Sequence, residues 1–475
     1  MEFSKFLIMR QELLLTAIIL IILCAEIFLS KEKRGLIVSI SIGLFAIQTI
    51  VGFLSIEYGN LFGNMYHNTE LTHFMKNVLN IGVVIVLLQS ASWIKKDLID
   101  QGRGSEFYLL IFSTLLGMYF MISAGDFLMF YLGLELSSLP LAALAAYDIY
   151  KKKSAEAGIK FILSAAMASG VALYGISMIY GITGSLYFNE IAVSFSYGTL
   201  EVLALVFFMA GLSFKLSLVP FHFWTADVYE GSPISVTSYL SVISKGAAAF
   251  ILTIILFTVM QSMEVVWKDM IYVLAVATMT VGNLFALRQN NMKRFLAFSS
   301  IAQAGFLLLG FMAASQLGMT VILYFTLIYI FSNLGAFGVV QAIALYTGKE
   351  NMSDYEGLYR TNPKLSLVML LSLFSLAGIP PVAGFFGKFF LFIAAASEGY
   401  YWLVLIAVIN VIISLYYYLL VVRAMFLRTS DDAIPFIKTD GMLKLGLLIC
   451  VVGVLVVGMY SPIYEYIFEL SGGKW

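Results

Sequence analysis

The sequence predicts an all-α polytopic membrane protein of about fourteen transmembrane helices, containing two inverted five-helix repeats that each hold one broken helix. Three observations carry this. Of the 475 residues, 61% are hydrophobic and only 12% are charged, against about 25% charged in a soluble domain. Apolar runs recur along the whole chain, each near the roughly 20 residues that a helix needs to cross a bilayer. Two of these runs, five spans apart, are interrupted by proline.

The runs are centred near residues 21, 45, 84, 116, 136, 170, 209, 245, 278, 304, 332, 380, 413 and 452. Lysine and arginine alternate between their connections. Connections after odd-numbered spans hold 19 of them, namely Lys31, Lys33, Arg34, Lys95, Lys96, Arg103, Lys151, Lys152, Lys153, Arg288, Lys293, Arg294, Lys349, Arg360, Lys364, Arg423, Arg428, Lys438 and Lys444. Even-numbered connections and the two tails hold five, namely Lys5, Arg10, Lys76, Lys268 and Lys474. Cytoplasmic loops are the basic ones, so the odd connections are expected in the cytoplasm and both termini outside. The alternation also favours an even number of spans.

The composition excludes several classes. Net charge is zero with no basic or acidic block, so nucleic acid is not an expected partner. Cys24 and Cys450 both lie inside apolar runs, which argues against a disulfide or a metal site. The first run ends in "KEKR", which fits a retained span better than a cleaved signal peptide. No dinucleotide-binding βαβ pattern and no cysteine cluster is present, so a redox centre on this chain is not expected.

The seventh run breaks at Pro220, in "GLSFKLSLVPFHFW" (residues 211–224), and the twelfth at Pro380 and Pro381, in "SLAGIPPVAGFFGKFF" (residues 375–390). Proline cannot donate to the carbonyl four residues back. Pro220 therefore frees the carbonyl of Leu216, and the proline pair frees those of Leu376 and Ala377. Unpaired carbonyls at membrane depth are tolerated only inside protein or beside water. Five is odd, so the two broken helices run in opposite directions, as in an inverted repeat of spans 4–8 against 9–13. The alternative is that each break is a passive kink. The expected division is residues 1–105 for helices 1–3, 106–262 for the first repeat, 263–430 for the second and 431–475 for helix 14. Lys215 precedes its break, whereas Lys388 follows its own by seven residues, and the sequence offers no reason for that difference.

Glu135, Lys215, Lys245 and Lys388 lie deep in apolar surroundings. Left isolated and charged they would cost about 10 kcal/mol together, so they must be paired, hydrated or neutral. Such groups can change protonation when a neighbour moves, which is what a proton relay needs. A static Glu135–Lys215 ion pair is the competing reading. Lys160 lies where it can snorkel to the cytoplasm and is either an interface residue or part of the relay. His222 is a candidate relay group and equally a hydrogen-bonded structural histidine. Ser137, Ser138, Ser217, Ser235, Thr237, Ser241 and Ser244 read first as close-packing residues whose hydroxyls can also host water.

The segments "GLELSSLPLAALAAY", "AGIKFILSAAMASGVALYGISMIYGITGSL", "GLSFKLSLVPFHFWTADVYEGSPISVTSYLSVISK", "KRFLAFSSIAQAGF" and "SLAGIPPVAGFFGKFFLF" together resemble one family. It is subunit N of bacterial NADH-quinone oxidoreductase (respiratory complex I), an antiporter-like membrane subunit. The resemblance runs from about residue 105 to 430; the first hundred residues and the last forty match only in hydropathy. It implies fourteen helices with inverted repeats and an ancestry shared with cation/proton antiporters. Glu135 would then be the fifth-helix glutamate, Lys215 its paired seventh-helix lysine, Lys245 the eighth-helix relay lysine and Lys388 the twelfth-helix exit residue. Lysine at 388 fits subunit N better than subunit M, and the long lateral helix of subunit L is missing.

The resemblance further implies a proton-translocating subunit in a bacterial inner membrane, partnered by other membrane subunits of the complex. No cofactor is expected on this chain, since NADH, flavin, iron–sulfur clusters and quinone would be bound by other subunits. The alternative is a subunit of a multi-subunit sodium/proton antiporter.

Overall fold

The computed structural model describes residues 3–30, 33–54, 57–99, 102–430 and 432–473. Lys31 and Lys474 lie outside the described residues. Thirteen described helices are long and apolar enough to cross a membrane: Lys5–Phe28, Gly35–Gly52, Glu70–Leu98, Gly104–Ile122, Phe127–Ala145, Lys152–Thr183, Thr199–Leu216, Ile234–Val259, Gln261–Ala286, Met292–Met312, Gln316–Thr347, Tyr401–Leu427 and Gly441–Met459. A further crossing is built from two shorter apolar helices, Pro363–Ala377 and Ala383–Ser397. Counted in order, these are spans 1–14, with the two-piece crossing as the twelfth. Thirteen of the expected centres fall inside their helices, and residue 380 falls in the gap of the twelfth.

The tenth span is buried along its whole apolar window and the eleventh along 94% of its own, whereas the sixth is buried along only 28%. Spans 8, 10 and 11 therefore lie in the protein interior, and the sixth is exposed along most of its length. Small residues set the closest approaches. Spans 4 and 5 meet through Gly117 and Gly133, where an added Cβ would lie 2.4 Å from Ser137 N and 2.5 Å from Met121 N. That contact fixes the height of Ser137 on the fifth span. The second span is followed by a short hairpin, β1 (Gly59–Leu61) paired antiparallel with β2 (Tyr66–Asn68), at the end of the molecule where the third span begins.

Two basic residues differ from the sequence reading. Lys76 is not a connection residue. It lies in the third span, 1% exposed, in an ion pair of 2.6 Å with Glu12 of the first span. The polar stretch "NTELTHF" before it made the span look later than it is. Lys160 does more than snorkel. Its ammonium reaches Glu156 at 2.6 Å and Asp227 at 2.6 Å, and Asp227 sits on the short helix Phe223–Gly231 beyond the seventh break. Arg294 holds the same helix, meeting Asp227 at 2.7 Å and Glu230 at 3.1 Å. Cys24 is an exposed and Cys450 a buried free thiol.

Single cysteines placed at Lys152 and at Tyr187, at opposite ends of the sixth span, should label from opposite sides of the membrane, the first from the cytoplasm. Labelling of both by an impermeant maleimide from one side would refute the topology.

Candidate functional site

The first half of the seventh span, Thr199–Leu216, ends at Ser217, whose φ of 63° turns the chain left-handed. Lys215 therefore stands in the last turn of a helix, where the dipole favours a cation. Its Nζ donates to Ser137 Oγ at 2.5 Å and to Ser138 Oγ at 2.8 Å. Each hydroxyl in turn donates to the Leu134 carbonyl, at 2.8 and 2.6 Å. These serines hold the ammonium rather than merely pack.

Glu135 is one helical turn from Ser138, on the same face of the fifth span. It makes no ion pair with Lys215 among the described residues, and its Oε1 is buried without a hydrogen-bond partner. The ammonium is thus held directly by the two serines, with the Glu135 carboxylate nearby but outside ion-pair distance. The break itself is closed by other groups. Trp224 Nε1 donates to the Phe214 carbonyl at 3.1 Å, and Val219 N donates to Thr278 Oγ1 at 3.0 Å. Trp224 thus reaches across the break to the Phe214 carbonyl, two residues before the Leu216 carbonyl that the proline frees.

In the eighth span a π-helical turn, Leu240–Ser244, immediately precedes Lys245. Such turns carry an extra residue and re-aim the side chain that follows. Lys245 Nζ donates to Ser300 Oγ of the tenth span at 2.8 Å and lies 5.7 Å from the Tyr229 ring centre. Two small cavities of about 20 Å³ each flank this turn. One is lined by Lys215, Ser138, Leu240 and Ser244, the other by Lys245, Val242, Ser300 and Gln303. Each has room for about one water molecule.

The twelfth span breaks at Gly378, whose φ is 86°. Lys388, on the second half, reaches back over the gap. Its Nζ donates to the carbonyls of Leu376 at 2.7 Å and Ala377 at 3.2 Å and lies 4.5 Å from the Phe306 ring centre. These are the two carbonyls that the proline pair frees. The gap has no room for a β-carbon at Gly384, which would stand 1.7 Å from the Ser375 carbonyl oxygen.

The tenth span joins the two sites. Gln303 Nε2 donates to the Leu376 carbonyl at 2.8 Å, the same oxygen that Lys388 uses, and Gln303 lines the Lys245 cavity. Tyr418 supports it, with its OH 3.3 Å from Gln303 Nε2 and 2.5 Å from Ser299 Oγ. Sequence reading missed Ser300, Gln303 and Tyr418. Polar residues in two apolar runs, the tenth and the thirteenth, were the available signal, but their partners lie 55 to 119 residues away. His222 stays apart. It caps Phe223–Gly231, its Nδ1 has no hydrogen-bond partner, and its ring packs 4.6 Å from that of Phe223. Among the described residues, no group of three or more His, Cys, Asp or Glu could hold a metal ion.

Residues 124–414 match the family profile described as NADH:quinone oxidoreductase/Mrp antiporter, transmembrane. A protein named NADH-quinone oxidoreductase subunit N from Phocaeicola vulgatus is 51% identical over 472 residues, covering 99% of this chain and all of its own. Its namesake from Azobacteroides pseudotrichonymphae is 49% identical over 479 residues, covering 100% of this chain and 99% of its own. The similarity therefore extends through the first hundred and last forty residues, beyond the segment in which motifs are recognisable. A chain of respiratory complex I from Thermus thermophilus superimposes with a TM-score of 0.81 at 28% identity, over 98% of this chain and 100% of that one. A chain of the Mrp complex from Dietzia sp. gives 0.85 at 20% identity, over 99% and 97%, which speaks for the fold alone. With half of all positions shared along its whole length, this chain belongs to the subunit N family of NADH-quinone oxidoreductases, within the antiporter-like membrane proteins.

Proposed function

We propose that the chain carries protons across a bacterial inner membrane as a subunit of NADH:quinone oxidoreductase, along Lys215, Lys245 and Lys388, with Glu135 controlling the first. The observation that carries this is the company the three lysines keep. Each is at least 92% buried, and each ammonium hydrogen-bonds neutral oxygen rather than a carboxylate. A static ion pair would have needed a partner charge. Electron transfer from NADH to quinone takes place on other subunits, which bind the NADH, flavin, iron–sulfur clusters and quinone; this chain holds none. The lysine and arginine bias sets both termini on the outer side. The division into residues 1–105, 106–262, 263–430 and 431–475 separates a three-helix lead, two inverted repeats and a closing helix.

The energetics are of the right size. Moving one charge against about 100 mV costs about 2.3 kcal/mol, so roughly 200 mV asks for about 4.6 kcal/mol. Bringing a carboxylate up to a buried ammonium and withdrawing it changes the proton affinity by a comparable amount. Glu135 and Lys215 stand near each other without an ion pair. An approach of Glu135 to Lys215 would displace the serines and load the lysine, and its retreat would release the proton towards Lys245. A sodium/proton antiporter subunit would share the fold. Sequence identity favours the respiratory complex, and co-purification with flavin and iron–sulfur subunits is the direct test.

Lys215→Ala should leave the complex assembled on a native gel. It should also cut NADH-driven acidification of inverted vesicles about a hundredfold or more, the low end of what a positioned proton-transfer group contributes. Glu135→Ala should behave alike and Glu135→Asp more mildly. An assembled Lys215→Ala complex that pumps normally would make this lysine structural.

Ser137→Ala with Ser138→Ala removes both hydroxyls from the ammonium. Each lost bond to a charged group is worth roughly 1.5–3 kcal/mol. The double variant should pump at least about tenfold more slowly, and unchanged pumping would show that the serines only pack.

Gln303→Leu keeps the bulk and removes the amide between the Lys245 cavity and the twelfth break. Proton pumping should fall while the Lys388 contacts persist. A variant with wild-type pumping would place the route elsewhere.

A further inference from the structure

The central relay leaves one buried charge pair unused. Glu12 and Lys76 meet at 2.6 Å, each 1% exposed, inside the bundle of the first three spans. An ion pair taken out of water is weak evidence of stability, because desolvation offsets the attraction. Ionisable residues inside a membrane protein are therefore read first as functional. Glu12 stands in the first turn of its helix and Lys76 six residues into its own, about 9 Å along the axis. Both spans are odd-numbered and start on the same side, the one that the basic-residue bias assigns to the outside.

Polar groups from the hairpin and from the first, third and fourth spans lie around the pair. From the hairpin, the Tyr66 hydroxyl accepts from Lys76 at 3.0 Å. From the fourth span, the Tyr119 ring lies 5.9 Å from the ammonium, and the Tyr119 hydroxyl donates to Asn80 of the third span. Asn80 Nδ2 donates to Gln11 at 3.3 Å, and Gln11 Nε2 lies 3.2 Å from His73 Nδ1. His73 Nε2 is 2.7 Å from the Gly52 carbonyl. Arg10, two residues before Glu12, is held by the carbonyls of Val51 and Leu54 at 3.0 and 2.8 Å. Beyond His73, the edge of the Tyr58 ring packs at 6.3 Å. Tyr58, Asn60, Asn68 and Glu70 line an open cavity of about 550 Å³.

We infer that Glu12 and Lys76 form a second proton-holding site, separate from the central relay, which exchanges protons with the outer aqueous phase past His73. A proton taken up by the Glu12 carboxylate turns it into a neutral acid and breaks the ion pair, leaving Lys76 on the Tyr66 hydroxyl. Loss of that proton towards the cavity restores the carboxylate and the pair. One proton enters, one leaves, and no other bond changes. The amides of Gln11, Asn77 and Asn80 fix the geometry; Gln11 Nε2 donates to Asn77 Oδ1 at 2.8 Å.

The inference takes from the preceding section only that the chain moves protons, and its test separates the two. In the assembled wild-type complex, dicyclohexylcarbodiimide modifies protonated carboxyls in apolar surroundings, and peptide mass spectrometry reads where. Glu12 should be labelled more during NADH oxidation than at rest. A Glu12 unlabelled in both states overturns the proposal. In a second arm, Glu12→Gln with Lys76→Met removes both charges together, so neither is left unpaired. The assembled double variant should bind about one proton fewer than the wild type when the purified complex is acidified, and equal proton uptake overturns the proposal, because a static ion pair would bind none. If the double variant does not assemble, the labelling decides alone. Equal uptake in the double variant beside lost pumping in Lys215→Ala sinks this site and leaves the central relay standing.

Discussion

An ammonium held inside a bilayer must be given oxygen, because no water reaches it from bulk and a lone charge there costs several kcal/mol. A regular helix has no oxygen to give, since each of its carbonyls is already bonded four residues on. The chain meets this need in two ways. At the twelfth span it stops the helix, and proline leaves the carbonyls of Leu376 and Ala377 for Lys388. At the fifth and seventh spans it brings two hydroxyls from a neighbouring helix against Lys215. That approach works only because Gly117 and Gly133 let spans 4 and 5 touch backbone to backbone, which holds Ser137 at the right height. Close packing, helix breaks and serine placement all answer to one electrostatic demand.

The two kinds of oxygen differ in use. A carbonyl only accepts, whereas a hydroxyl both accepts and donates. Lys215 and Lys245 sit on serine hydroxyls, which can rotate to serve an ammonium or a neutral amine. The proton carrier proposed for these two lysines would pass through both forms and is well matched by that. Lys388 sits on fixed carbonyls belonging to the break itself, so its partners move only if the break moves. The gap at Gly378 and Gly384 is packed tightly enough that an added β-carbon at either position meets its neighbours. The first two lysines thus rest on adaptable partners, and the third is tied to the geometry of a half-helix.

The span count was legible because bilayer thickness imposes a length, and a run of apolar residues near that length has few other uses in a chain this apolar. The breaks were legible because Pro220 and the Pro380–Pro381 pair cannot donate to the carbonyl four residues back, although Pro140 leaves the helix of the fifth span continuous. Glu135, Lys215, Lys245 and Lys388 stood out by violating their surroundings. Partner choice was not legible. Ser137 and Ser138 look like any small residues in a tight membrane helix until Lys215 arrives from 77 and 78 residues away. Gln303 is one amide in a long apolar run, and only the fold shows that it shares an oxygen with Lys388. Lys76 was misplaced because its flanking polar residues resemble a connection, while the charge that holds it, Glu12, lies near the start of another span, 64 residues earlier in the chain.

The two break lysines differ in sequence placement but bring their charges to the same part of a broken helix. Lys215 closes the first half of its span, whereas Lys388 sits in the second half of its own. Lys388 reaches back across the gap, so its ammonium rests on the Leu376 and Ala377 carbonyls at the end of the first half. Each charge therefore stands at the C-terminal end of a first half-helix, where the dipole favours a cation. The two spans are five apart and run oppositely, as an inverted repeat requires. One long side chain makes up the difference in sequence position, and the symmetry of the repeat survives at the level of the charge.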